Sequence, residues 1–395
     1  MPSISPAAVG RRIAYYRRIA RPKMTQQQLA DRANVALGTI RKIERGERGV
    51  TDDTLDSIAA ALGVDPSRLV ADREHVSTRI RDALPALSAS IATYDMPDDG
   101  PVRSLAELRT SVARTTAWRL SAQYLQIARE VPDLLAELSR ATASAPLLEA
   151  QEMAGLLVTA YRSADAVAYK YQARDLSARL VELMRWTAPG AQDPLLAAAV
   201  GYVRTETFFA ARAHTAGLHA LEQAIDACPP ASGPPAIAAR GALHMRAAVI
   251  AGRACQGDTA DKHLKEARAL GDRVREGVYQ GTAFGPDSVR IHEVSVAVSL
   301  GDGHVQRAFD VAREWTPPAT LPAERRSGFW IELARAQLWG GRGDDAFESL
   351  KVARRIAPQH TREHPWVRED AATLRRLKRA DSETLTNFAE WCHAD

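Results

Sequence analysis

Cysteine is scarce: Cys228, Cys255 and Cys392 are the three in 395 residues, far apart and in no metal-ligand spacing. So sparse and odd a set offers no disulfide framework and fits a reducing compartment. No run of 18 apolar residues occurs, so no membrane span is expected. No secretory h-region stands near the start, and a cytoplasmic location is expected. Period-2 alternation is nowhere sustained, so almost no strand is expected. Asparagine is reduced to Asn34 and Asn387.

The motifs of catalysis are missing too. There is no P-loop, no G-x-G-x-x-G and no G-x-S-x-G. His360-Thr361-Arg362-Glu363-His364 fits the H-x-x-E-H pattern of zinc proteases. That chemistry needs both histidines on one helical face. Pro358 and Pro365 bracket the five residues, which leaves little room for a stable helix, and no third ligand is evident. No enzyme, no metal and no cofactor are expected.

What is present is a charge asymmetry. Residues 1–50 hold 11 Lys and Arg against 3 Asp and Glu. Residues 74–395 hold 39 against 40, so the net +4 of the chain belongs to its start. A basic head on a neutral body is the electrostatic footprint of a polyanion binder.

Met24 to Gly46, MTQQQLADRANVALGTIRKIERG, organises that head. Thr25 and Gln28 form a capping box, and Leu29, Ala30 and Ala33 share one face. Asn34 sits where a tight turn needs positive φ. Ile40 and Ile43 then point a second short helix inward, and Gly46 stops it. Two helices so short are not stable alone. They make sense as a helix-turn-helix whose second helix enters a DNA major groove. A first helix is expected over Pro6 to Ile19, with Val9, Ile13, Tyr16 and Ile19 inward. A fourth follows Thr51 as its cap, with Leu55, Ile58, Ala59 and Leu62 closing the core. A fifth opens at Asp65-Pro66.

The pattern Thr25-Gln26-x-x-Leu29-Ala30, then Gly38-Thr39-Ile40-x-x-Ile43-Glu44-x-Gly46, resembles the XRE (lambda-repressor-like) family of DNA-binding regulators over Val9 to Ala71. The resemblance implies a five-helix domain that binds a double-stranded DNA operator. It implies a phosphate contact by Gln26, base-edge contacts by Leu37, Gly38 and Lys42, and flanking contacts by Thr39, Arg41 and Arg45. Arg48, in the loop after the second helix, is a further candidate for phosphate. It also pairs Glu44 with an arginine of the first helix, Arg17 or Arg18. Ala36 departs from the family's Ser or Thr cap. Leu37 and Gly38 stand where polar readers are common, so specificity is expected to lean on Lys42 and Arg41.

Beyond residue 74 the chain turns to alanine-rich amphipathic helix with short breaks. One long helix is expected from Ser104 to Val131, with Pro132 opening the next. The segments GDTADKHLKEARAL (257–270), GDGHVQRAFDVARE (301–314) and GRGDDAFESLKVARR (341–355) repeat one another, with Asp258, Asp302 and Asp344 spaced by 44 and 42. A weaker copy starts at His214. A helix, a Gly/Asp turn and a second helix resemble tetratricopeptide (TPR) units with lengthened loops, best over Asp193 to Pro358. The fold class expected is all-α: a five-helix head over 1–73, a connecting helix and linker over 74–103, and a TPR-like helical-repeat body over 104–395.

Gln280 to Arg290, QGTAFGPDSVR, is the least repeat-like stretch and is similar to a segment recurring in actinobacterial XRE regulators with helical-repeat bodies. Loops carry function more often than repeat faces. Phe284, Arg290 and His292 are therefore candidate effector contacts, beside the plainer reading as a helix-capping connector. Tyr161, Tyr169, Tyr202, Phe208, Phe209 and Trp330 could line a concave pocket, although aromatics at helical spacing are more often core. Peptide-sensing XRE regulators with TPR bodies clamp the peptide with asparagines of their inner helices. Two asparagines weaken the reading of a peptide effector and leave a small molecule, a protein partner or no ligand at all open. The expectation is a homodimeric, sequence-specific transcriptional regulator, nucleoid-associated when bound to DNA. The alternative is a helical-repeat scaffold with a DNA-tethering head.

Overall fold

The computed structural model describes residues 6–20, 23–50, 52–64, 69, 74–377 and 383–394. The chain divides into two compact units, residues 1–79 and 80–395.

The first unit holds α1 (Pro6–Ile19), α2 (Gln26–Arg32), α3 (Leu37–Glu44) and α4 (Asp52–Leu62). The Thr25–Gln28 capping box closes in both directions. Asn34 takes φ of 52°, and the Val35 N–H reaches back to the Ala30 carbonyl, which ends α2 in a left-handed turn. Ile13, Leu29, Ile40 and Ile58, fully buried, meet at the centre with Leu69. Ile19, expected inside, is half exposed, because it lies at the last position of α1. Thr51 and the expected fifth helix after Asp65 lie outside the described residues, apart from Leu69.

α5 (Glu74–Ala92) leads into the second unit, where its Ile80, Leu87 and Ile91 are buried. Helical hairpins follow: α6 (Leu105–Leu120) with α7 (Tyr124–Ser144), α8 (Leu147–Lys170) with α9 (Arg174–Thr187), and α10 (Pro194–Ala211) with α11 (His214–Ala227). Then come α12 (Pro234–Arg253) with α13 (Gly257–Gly271), α14 (Pro286–Leu300) with α15 (Val305–Glu314), and α16 (Ala323–Trp339) with α17 (Gly343–Ile356). Short α18 (Pro358–Glu363), α19 (Pro365–Leu377) and α20 (Glu383–Cys392) close the body. Helices pack on their neighbours in sequence and on the equivalent helix of the adjoining hairpin, the pattern of a stacked repeat.

The repeat is cut into the backbone. Ala122, Gln172, Arg212, Cys255 and Gly341 all take positive φ, between 54° and 73°. At each, the next N–H bonds a carbonyl five residues back: Gln123 to Trp118, Ala173 to Ala168, Ala213 to Phe208, Gln256 to Ala251 and Arg342 to Gln337, at 2.8–2.9 Å. This is one helix-terminating turn used five times. The expected helix from Ser104 to Val131 is in fact broken by the first of these turns. Pro132 lies inside α7 and does not open it. The turn at residue 122 uses alanine, which carries no breaker signal.

Among the described residues, the expectation of almost no strand has one exception. Residues 277–279 (β1) and 282–284 (β2) pair antiparallel around Gln280-Gly281, with Gly277 opposite Phe284. The hairpin replaces a repeat unit's regular link between α13 and α14.

Candidate nucleic-acid interface and a cavity in the body

In the head, the placement of the candidate DNA contacts follows from how α3 is held. Arg17 of α1 donates from Nε and Nη2 to the two carboxylate oxygens of Glu44, at 2.6 and 2.8 Å, and from Nη1 to the Met24 carbonyl at 3.0 Å. Gln26 Nε2 donates to Glu44 Oε2 at 2.7 Å. Burial alone would raise the Glu44 pKa; the bonds from Arg17 and Gln26 outweigh it and hold the carboxyl below its ordinary value. α1, α2 and α3 are thus tied at one point. Of the two expected arginine partners, Arg17 is the one used.

Arg41, Lys42, Arg45 and Arg48 are exposed, as is Gly38. Arg45 sits 3.1 Å from Glu47, an exposed pair of small energetic weight. Arg48 Nη1 reaches Thr39 Oγ1 at 3.5 Å, and Thr39 is half-buried. Leu37, expected on the outer face, is half-buried against the head's core, because it opens α3 next to the turn. Gln26 commits one amide N–H to Glu44 and keeps a second to donate.

In the body, the inner helix of each hairpin contributes to one cavity of about 220 Å³. Its wall is drawn from α6, α8, α10, α12, α14, α16 and α18 together with the β-hairpin, and from none of their partners α7, α9, α11, α13, α15 and α17. The first and last turns of the stack meet around it: Leu125 N–H donates to Gln359 Oε1 at 3.1 Å, and Lys170 Nζ lies 2.9 Å from Glu324.

The wall is polar. Six cationic side chains line it, Arg119, Arg162, Lys170, Arg246, Arg253 and Arg325, against four carboxyls, Asp165, Glu206, Glu324 and Glu332. Burial works against the charge of Glu324, yet Lys170, 2.9 Å away, holds its pKa far below the usual carboxylate range. Asp165 is pushed well up, by burial and then by Glu206, and takes a 2.6 Å bond from Ser177. Glu332 is also raised by burial, while Ser295 donates to it.

The H-x-x-E-H stretch, expected to lack room for a helix, forms α18, with Pro358 as its first residue, where a missing N–H costs nothing. His360 and His364 line the cavity, whereas Glu363 binds Arg81 and Arg368 instead. The charged Lys170 can only donate, so His360 Nε2 at 3.1 Å accepts, and Nδ1 donates to Ser327 Oγ at 2.7 Å. His360 is therefore a neutral ring, its pKa pushed down to about 3 by burial and then by Lys170. No three His, Cys, Asp or Glu side chains are grouped to hold a metal among the described residues.

Of the three candidate effector contacts, His292 lines the cavity; its Nδ1 donates to the Ser288 carbonyl at 2.8 Å, and burial pushes its pKa down to about 3. Phe284 does not line it: the ring is fully buried against Gly241 and anchors the hairpin. Arg290 is exposed, with its guanidinium over Trp315. Among the aromatics, Tyr169, Tyr202 and Phe209 reach the wall, while Tyr161 is core. The arginines were missed because they are scattered over α6, α8, α12 and α16 and form no motif within any one of them.

Among protein families, the helix-turn-helix model matches residues 13–69. No curated protein matches the chain. Among solved structures, the chain aligns with a crystal structure of Bacillus thuringiensis PlcR in complex with the peptide PapR7 and DNA. Identity is 14%, coverage is 68% of this chain and 95% of that one, and the TM-score is 0.28. Among the described residues no helix is long and apolar enough to cross a membrane.

Proposed function

We propose that the protein is a DNA-binding transcriptional regulator of the XRE type, whose helical body, of the TPR kind, serves dimerisation and sensing. The observation that carries this is the helix-turn-helix match over residues 13–69, together with an exposed basic row on α3 and the loop after it. In this reading Lys42 and Arg41 meet base edges, while Gln26, Arg45 and Arg48 meet phosphates, with Gly38 and Thr39 allowing close approach and Leu37 giving apolar contact. The head is residues 1–73, residues 74–103 connect, and residues 104–395 form the body. No enzymatic step is assigned. The cavity, built from every inner helix, favours control by an effector over a plain scaffold. Footprinting of genomic DNA with the full chain tests the reading. A discrete, near-palindromic protected site is expected; uniform binding without sequence preference would leave a DNA-tethered scaffold instead.

A further inference from the structure

The unusual feature of the cavity is unbalanced charge. Lys170 pairs with Glu324 at 2.9 Å, and Arg246 lies 3.5 Å from Glu206. Arg325 bonds the Tyr202 hydroxyl at 2.5 Å. That leaves Arg119, Arg162 and Arg253, for which no carboxylate stands within ion-pair distance among the described residues. Arg119, 8% exposed, donates from Nη2 to the Gly281 carbonyl at 2.7 Å, and its Nε has no partner. Arg162 donates to the Gln280 carbonyl and to Thr282 Oγ1, both at 2.6 Å. Arg253 stacks over Phe209 and Trp366, each about 5.0 Å away. Carbonyls, hydroxyls and ring faces satisfy hydrogen bonds or dipoles but cancel no charge, so among the described residues Arg119, Arg162, Arg253 and Arg325 all lack an ion-pair partner, and six cations face four carboxyls on the wall, Asp165 and Glu332 among them.

Two of those charges are also forced together. Gly281, at φ +67°, fits between them: a Cβ there would lie 2.8 Å from Arg119 Nη2 and 3.1 Å from Arg162 Nη1. Burial, and then the neighbouring Arg119, push the Arg162 pKa down to about 9. Buried like charges at such separation are costly unless an anion joins them. The size of the space limits that anion. An apolar cavity of roughly 150 Å³ takes one benzene, so this one suits a compound of about ten heavy atoms and is too small for a folded peptide of several residues.

We propose that the cavity binds a small polyanionic metabolite, a di- or tricarboxylate or a phosphate ester, with one anionic group between Arg119 and Arg162 and a second end toward Arg253. Guanidinium forks match both oxygen geometries. The inference deepens the sensing part of the proposed function. It is measured without DNA, so its failure and the failure of DNA recognition are distinguishable. Because Arg119 and Arg162 also clasp the hairpin tip, an arriving anion competes with the Gln280 and Gly281 carbonyls, and the hairpin reports on occupancy.

The test uses the full chain with citrate, succinate, inorganic phosphate and glycerol 3-phosphate, against glycerol, putrescine and sodium chloride at matched ionic strength. At least one polyanion should raise Tm by a few degrees over the controls and alter hydrogen exchange over residues 277–284. The Arg162→Gln and Arg253→Gln variants should each lose at least tenfold in affinity; the Arg253 guanidinium holds no hydrogen bond, only its backbone carbonyl accepting one from His214, so that variant keeps the fold if the other does not. The proposal is overturned if no polyanion exceeds the salt control. It is equally overturned if the stabilisation persists undiminished in the variants, or if exchange in the hairpin is unmoved while Tm rises.

Discussion

Arg17 and Glu44 form a two-pronged ion pair across 27 residues, and Gln26 closes it from a third helix. With side-chain exposures of 12% and 5%, the pair is shielded enough to act as a fixed strut behind the recognition helix. Removing one partner leaves the other charge poorly solvated, a loss of about 1–3 kcal/mol. Arg17→Ala should therefore raise hydrogen exchange across α1–α3 in the full chain, leaving the body unchanged. The pH sign follows from the lowered Glu44 pKa. Its stabilisation is present above the unfolded carboxyl value and is lost as pH falls through the folded one. A head whose exchange is unaffected by Arg17→Ala would refute the strut.

Under the proposed function, Lys42 and Arg45 should separate specificity from affinity. Lys42→Ala should cost about 1–3 kcal/mol on the cognate site and relax preference at one operator position. Arg45→Ala should weaken all sequences alike and reduce the slope of log affinity against log salt by about one. Binding titrations of both variants on cognate and scrambled duplexes decide it. Equal cognate affinity for the Lys42 variant would remove that residue from the reading helix.

Much of the head was legible in sequence because its signals are local. A capping box, an asparagine in a left-handed turn and inward isoleucines each announce themselves within a few residues. The body was legible as helices with breaks and as a repeating helix pair over Asp193 to Pro358, but not turn by turn. Four of its five repeated turns place Ala122, Gln172, Arg212 or Cys255 in the left-handed region, where a sequence reader expects glycine or asparagine. The hairpin at 277–284 was hidden by its three-residue strands. The cavity was hidden for a different reason: Arg119, Arg162 and Arg253 are spread over 134 positions in three helices and converge only through packing.

Phe284 anchors that hairpin from inside. Its ring is fully buried, and Gly241 of α12 leaves it room: a Cβ at Gly241 would sit 1.9 Å from Cζ. Phe284→Ala should cost about 3–5 kcal/mol, and Gly241→Ala about 1–3 kcal/mol through overpacking. Denaturant unfolding of the full chain, followed by tryptophan fluorescence of the body, measures both. A neutral Gly241→Ala would mean the ring has space to move.

Buried neutral histidines give the body an acid limit. His292 and His360 hold folded pKa values of about 3, against 6.5 for a free histidine. Between those values the unfolded chain binds protons that the folded body does not. Stability is then complete above about pH 6.5 and falls as the medium is acidified toward 3. The body's Tm should be flat from pH 7 to 8 and drop steadily from pH 6 to 4. His292→Gln should shallow that drop. An unchanged slope in the variant would mean that other groups set the acid limit.

The last expectation is a homodimer. One α3 presents too few side chains for high specificity, and helix-turn-helix dimers place two heads on half-sites about 34 Å, or a multiple, apart. Such spacing has to be set by the body, since the exposed basic residues of the head repel a second copy. An effector bound in the body can change operator affinity only through different affinities for two body shapes, and a change in head spacing is the simplest way those shapes would differ at the DNA. Sedimentation at micromolar concentration should give twice the 43.0 kDa chain mass. Inserting half a helical turn between half-sites should abolish tight binding, and inserting a full turn should restore most of it. A chain that stays monomeric with and without DNA, and is indifferent to the insertion, would leave a single head acting alone.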